Sequence, residues 1–182
     1  MRSAAILTGG RATRFGGRDK SALIVDGRSI LERQKTELSK VTSDILIIGA
    51  DRDLVAGCGP LGGLHAALTK ARGDAVFVVA CDMPYVSAAF VTYLLDLTGE
   101  ADIVVPRTER GYHPLCAAYT RACLEPVTRR LAAHALKMTD LFSDVRTRIV
   151  TAPEIDRFGD RDRLLTNVNT QADYDRVQNH KL

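Results

Sequence analysis

At 182 residues, 46% of them hydrophobic and 26% charged, the chain is long enough for a single domain with a well-buried core and too apolar to be disordered. Its formal net charge of +3 is too small to suggest nucleic acid or an acidic membrane surface as partner, and none is expected. No apolar run nears the roughly 20 residues of a membrane span, and the longest, Ala75–Cys81, has strand length.

Only four apolar residues, Ala4–Leu7, precede Thr8, which predicts no secretory leader and a first strand at about Ala4–Thr8. Ser29 and Glu32 form a capping box for a helix whose Leu31, Leu38 and Val41 share the inner face. Asp44–Ile48 reads as a second strand. Pro60 opens a helix with Leu61, Leu64, Leu68 and Ala71 at helical spacing. Ala75–Ala80, apolar on both faces, suits the centre of a parallel sheet. Ser87 caps a helix that turns Phe90, Val91, Leu94 and Leu97 inward, and Ile103–Val105 is a fourth strand.

Beyond it, Leu115–Tyr119 reads as a strand and Arg121–Leu136 as a broken helical stretch that restarts at Pro126. Short strands are expected near Thr147–Val150 and Leu164–Val168, and Thr170 caps a last helix through about Gln178. The alternation of strands and helices predicts an α/β fold: a doubly wound, mostly parallel sheet, with ligands over the C-terminal strand ends. Cys58, Cys81, Cys116 and Cys123 show no C-x-x-C pair and no regular framework, as expected of reduced thiols in a cytoplasmic protein.

The most informative segment is Leu7-Thr8-Gly9-Gly10-Arg11-Ala12-Thr13-Arg14-Phe15-Gly16-Gly17-Arg18-Asp19-Lys20, leaving the first strand. Glycines let the backbone approach a ligand and turn its N–H groups inward, and four cations add positive charge, a design suited to an oligophosphate. The spacing fits neither the P-loop nor the dinucleotide fingerprint, which argues against a GTPase-type switch and a nicotinamide dehydrogenase. Gly59-Pro60-Leu61-Gly62-Gly63 is either an anion-accepting helix start or a tight packing turn. Asp82, in Cys81-Asp82-Met83-Pro84, ends the most apolar strand, where a carboxylate can hold Mg²⁺ together with substrate phosphates or begin a turn before Pro84. Asn167 and Asn169 fall on one side of an extended segment before the last helix; amides there can hold a polar substrate, or Asn169 and Thr170 can cap the helix. His65 and His113 are read as structural, with no proton-transfer role expected, and His134 and His180 as exposed helix residues; no Ser-His-Asp or Cys-His arrangement stands out.

Leu7-Thr8-Gly9-Gly10, Arg14-Phe15-Gly16-Gly17 with Asp19-Lys20, Gly59–Gly63, Cys81–Pro84, Pro114-Leu115-Cys116 and Asn167–Thr170, in this order, resemble the molybdenum cofactor guanylyltransferases of the nucleotidyltransferase superfamily, across nearly the whole chain. The resemblance implies the Rossmann-like nucleotide-diphospho-sugar transferase fold over residues 1–182. It implies GTP and molybdenum-molybdopterin as substrates, and contact with proteins that supply molybdopterin or mature molybdoenzymes. In the implied site, Leu7, Thr8, Gly9 and Gly10 bind GTP, Lys20 holds its phosphates, Asp53 belongs to the GTP site and Asp82 binds Mg²⁺. Asn167 and Asn169 meet the molybdopterin end, while Arg14 and Lys20 offset charge on departing pyrophosphate. Two features depart from the family. Ala50-Asp51-Arg52 runs straight into Asp53 where relatives have a further piece of helix and a strand, and Gly49 stands where the family has a guanine-contacting asparagine. The alternatives are the same chemistry with CTP or another phosphorylated acceptor, and a non-catalytic nucleotide-binding cofactor carrier.

Overall fold

The computed structural model describes residues 1–8, 20–49 and 58–179, the side chains of Lys20 and Asn179 excepted. Its centre is a sheet in the order β4 (Ile45–Ile48), β1 (Arg2–Leu7), β5 (Ala75–Ala80), β8 (Cys116–Thr120), β6 (Ile103–Thr108), β7 (Gly111–Tyr112), with β9 (Thr147–Val150) also pairing β6. β4, β1 and β5 run parallel, as do β6 and β9; β8 lies antiparallel between β5 and β6. A hairpin, β2 (Ile24–Val25) and β3 (Arg28–Ser29), stands apart and follows a 3-10 turn at Lys20–Ala22.

Helices cover both faces, because alternate residues of each strand point opposite ways. Phe77 and Val79 of β5 and Ile6 of β1 pack with Leu38 of α1 (Ile30–Ser39) and with Phe90 and Leu94 of α3 (Ala88–Asp96). Val76 and Val78 pack instead with Leu61, Leu64 and Leu68 of α2 (Gly59–Lys70) and with Val127 of α4 (Leu124–Ala132). Every residue of β5 is buried. Each such Val or Phe contributes roughly 1.5–3 kcal/mol by leaving water.

The caps act as their chemistry predicts. Ser29 and Glu32 exchange hydrogen bonds at the start of α1, and the Ser87 hydroxyl accepts from Phe90 N–H. Thr170 and Asp173 cap each other at the start of α7 (Gln171–Asn179). One expected strand is absent: within Leu164–Val168, Leu164 ends α6 (Arg161–Leu164) and residues 165–168 join no ladder. The reason is local. The Asp160 carboxylate accepts from Asp162 and Arg163 N–H and its carbonyl from Leu164 N–H, which winds a turn of helix where periodicity suggested extension. A short α5 (Ala152–Asp156) sits between β9 and α6. Among the described residues no helix is long and apolar enough to cross a membrane.

Candidate active site

β1, β4 and β5 end side by side, and the segments that leave them are stitched together. Thr8 N–H donates to Ile48 O at 2.7 Å and Cys81 N–H to Leu7 O at 3.0 Å, so Leu7 and Thr8 spend these backbone groups on the sheet edge. The Thr8 hydroxyl also donates to Ile48 O, at 3.1 Å. Gly49 follows β4 directly.

Asp82 sits in the turn after β5. Met83 N–H returns to Ala80 O at 3.3 Å, closing the turn, and Val168 N–H donates to Asp82 O at 2.8 Å. That second bond crosses from the C-terminal segment to the carboxylate-bearing turn, bringing Asn167-Val168-Asn169 against Asp82. Val168 is fully buried with Val25, Ile30 and Val177, while Asn167 is exposed and Asn169 half-buried. Asn169 N–H and Thr170 N–H both donate to the Asp173 carboxylate, at 3.1 and 2.9 Å, so the capping duty belongs to Thr170 and Asp173.

One carboxylate oxygen of Asp82 is shielded from solvent. Among the described residues no three His, Cys, Asp or Glu side chains converge as a metal cage. A single acidic ligand fits Mg²⁺, which keeps to one or two carboxylates and takes the rest of its octahedron from phosphates and water.

Gly59 adopts φ +57°, a left-handed conformation that favours glycine, and a Cβ on Gly63 would lie 3.0 Å from Leu7 Cδ1. For Gly63 the packing reading of the glycine turn therefore holds: it brings α2 onto the end of β1. Gly9, Gly10, Arg14 and Asp53 lie outside the described residues, as does the Lys20 side chain.

A cavity of about 390 Å³ opens beside Asn167, lined also by Tyr85, Arg110, Arg163, Thr166 and Arg176. Arg110 pairs with Asp162 at 3.4 Å, and the Arg163 guanidinium lies 4.5 Å from the Tyr85 ring centre, in cation–π range. Arg33 approaches that ring at 5.4 Å. Burial, then the nearby Asp26 carboxylate, raises the Tyr85 pKa, so its phenol stays protonated. A second cleft of about 480 Å³ lies against α1 and is lined by Arg33, Glu37, Tyr85 and Arg163; among the described residues none predicted for the site lines it. His113 is held by Thr108 Oγ1 at 3.0 Å, and burial, followed by the Arg110 charge, lowers its pKa. Burial pushes the thiols of Cys116 and Cys123 up to about 12.

Sequence reading missed Gln34, Arg33 and Tyr85. Gln34 is fully buried, and its amide donates to Ala80 O at 2.7 Å and Met83 O at 2.9 Å; Arg33 Nε donates to Pro84 O at 3.1 Å. A signal existed for Gln34, which stands four residues from both Ile30 and Leu38 on the apolar stripe of α1.

Comparison with known proteins places the chain in a family. Residues 4–146 match the MobA-like NTP transferase domain. The chain is 33% identical to a probable molybdenum cofactor guanylyltransferase of Pelotomaculum thermopropionicum, over 92% of this chain and 87% of that protein. It is 30% identical to a molybdenum cofactor guanylyltransferase of Desulfosudis oleivorans, over 95% and 92%. The crystal structure of molybdopterin-guanine dinucleotide biosynthesis protein A from Archaeoglobus fulgidus superposes with a TM-score of 0.78 at 22% identity, covering 98% of this chain and 97% of that one, which carries the fold alone.

Proposed function

The chain belongs to the MobA-like NTP transferase family, a family of nucleotidyltransferases, and from that premise we propose that it transfers GMP from GTP to the terminal phosphate of molybdenum-molybdopterin, releasing pyrophosphate. The observation that carries this reading is the bond from Val168 N–H to Asp82 O, 2.8 Å, which joins the asparagine segment to the carboxylate turn. Donor and acceptor must meet within bonding reach for in-line transfer, and this contact couples the residues assigned to each.

In the proposed step an oxygen of the acceptor phosphate forms a bond to the α-phosphorus of GTP as the bond from that phosphorus to the bridging oxygen breaks, and pyrophosphate departs with the electron pair. Leu7, Thr8, Gly9 and Gly10 seat the nucleotide, with Asp53 part of the same site. Arg14 and Lys20 offset negative charge on the leaving pyrophosphate. Asp82 holds Mg²⁺, which supplies charge neutralisation at the phosphates when bound. Asn167 and Asn169 orient the molybdopterin end through their amides. Such an enzyme works in the cytoplasm, in contact with proteins that supply molybdopterin or mature molybdoenzymes.

Gly49 favours one second reading, in which the chemistry stays and the base changes, because glycine offers guanine no side-chain contact at the end of β4. Pyrophosphate release from GTP, set against CTP, with loaded molybdopterin as acceptor separates the two. We expect GTP to be preferred and Asp82→Asn to lose at least about a hundredfold in kcat with its thermal unfolding unchanged. Turnover by Asp82→Asn at the native rate with Mg²⁺ present would remove the metal role; preference for CTP would reassign the base.

A further inference from the structure

We propose that Gln34 is a positioning residue, one that sets the Asp82 carboxylate for the divalent cation by clamping the turn that carries it; the inference rests on the metal reading of Asp82 given above. Gln34 is fully buried, yet it belongs to no polar network of its own helix. Both amide hydrogens leave α1 for the β5 turn, one to Ala80 O at 2.7 Å and one to Met83 O at 2.9 Å. Those carbonyls bracket Cys81-Asp82. Because both partners are carbonyls, the NH₂ end must face them, which settles the orientation of the amide.

The rest of the turn is held from outside as well. Cys81 N–H is tied to Leu7 O and Asp82 O to Val168 N–H, while Met83 N–H closes the turn on Ala80 O. Arg33, the neighbour of Gln34, takes Pro84 O at 3.1 Å. Five consecutive residues are thus fixed by β1, α1 and the C-terminal segment, and both contacts from Gln34 are buried. Stability alone does not account for the choice. Among the described residues Gln34 Oε1 is buried with no hydrogen-bond partner, a cost that an apolar side chain at the same point on the α1 stripe would avoid. What an apolar residue could not do is donate to the two carbonyls on either side of Cys81-Asp82. Among the described residues no cage of three ligands forms around Asp82, so its aim depends on a rigid backbone beneath it.

The test uses the full chain and Mn²⁺ as probe. Mn²⁺ is titrated in the presence of a non-hydrolysable GTP analogue, and free Mn²⁺ is read by electron paramagnetic resonance. Gln34→Met keeps length and volume but removes both donors; we expect it to weaken Mn²⁺ binding by about tenfold or more, with kcat falling in step and a cooperative thermal transition retained. Gln34→Asn, which keeps the amide one methylene short, moves the same way and serves if the Met variant does not fold. In an Asp82→Asn background, adding Gln34→Met should cost no further Mn²⁺ affinity, whereas a merely structural residue would cost the same in both. If Asp82→Asn binds Mn²⁺ as the native protein does, the metal reading fails. If Asp82→Asn loses the ion while Gln34→Met and Gln34→Asn hold it at native affinity, the clamp alone is wrong.

Discussion

Behind β1, far from the site, a small buried polar cluster shows how closely single residues are specified. Ser3 is fully buried; its hydroxyl donates to the Asp44 carboxylate at 2.5 Å and accepts Gly73 N–H at 2.8 Å. The same carboxylate takes Arg72 N–H at 2.9 Å. This knot fastens the chain entering β5 to the ends of β1 and β4, and it leaves no room at Gly73. A Cβ there would lie 2.6 Å from Met1 O and 2.8 Å from the Arg2 carbonyl carbon, both backbone atoms that cannot turn aside. Gly73→Ala should therefore destabilise the protein by about 1–3 kcal/mol, the range for forced overpacking. Gly99, with open space around its Cβ position and no left-handed φ, is the control; Gly99→Ala should be neutral or slightly stabilising. Urea denaturation of both variants measures the contrast, and equal midpoints would mean that the close approach at Gly73 is relieved at no cost.

At the scale of elements, α7 ties the two halves of the proposed site. It begins just after Asn167–Asn169, and from it the Tyr174 hydroxyl, at 2.7 Å, and the Gln178 amide both donate to Ile24 O, in the hairpin that follows the Lys20–Ala22 turn. Val177 adds an apolar contact with Val25 and Ile30. Tyr174→Phe combined with Gln178→Ala removes both donors, each worth about 1 kcal/mol, and should raise amide exchange across residues 24–29 and KM for GTP about fivefold or more, with a smaller change in kcat. Unchanged exchange in the hairpin would show that the apolar contact alone holds it. Three of the helices and their caps, α1, α3 and α7, were legible in the sequence because a cap is local chemistry: Ser29 with Glu32, Ser87, and Thr170 are read from neighbours three residues away, whereas α5 and its Thr151–Glu154 capping box went unread. The antiparallel direction of β8 was not, since Cys116–Thr120 has the same apolar face whichever way it runs and only its partners β5 and β6 fix it. The same limit explains Leu164–Val168, where the Asp160 cap outweighs a strand-like pattern. Asp82 and the asparagines could be picked out by residue type and position at element ends. Their meeting through Val168 depends on a contact 86 positions apart along the chain, and the clamp from Gln34 on contacts 46 and 49 positions apart.

Over the whole molecule, the carboxylates held below their usual range and a half-buried histidine make the fold sensitive to acid. Burial works against the Glu154 charge, but Thr151 N–H and hydroxyl, the Tyr93 hydroxyl and Arg148 bring its pKa from 4.5 down to about 2. Each pH unit of that displacement corresponds to about 1.4 kcal/mol, so Glu154 contributes on the order of 3 kcal/mol above its unfolded value. The Ser3 hydroxyl, then Arg72 N–H, lowers Asp44 against its burial; Thr170, with Asn169 N–H, lowers Asp173 against its own. A carboxylate depressed on folding contributes stability above its unfolded pKa and loses it as pH falls through the folded one. His113 adds to the same limb from a different cause: burial lowers its pKa below 6.5, the neutral ring is the folded form, and protonation in acid favours the unfolded chain. The urea midpoint should therefore be level from pH 8 to about 6.5, decline gently as the unfolded-state histidine takes up its proton, and drop steeply below about 4.5. These groups span the molecule, with Asp44 at the start of β4, Glu154 on α5 and Asp173 capping α7, so no one element melts first on their account. Glu154→Gln carries the sharpest form of the prediction: it should be less stable than the native protein at neutral pH, with the two curves converging toward pH 2. Parallel curves over that range would mean that Glu154 titrates in the folded protein as it does in the unfolded chain, and the acid limb would then have to come from the other groups.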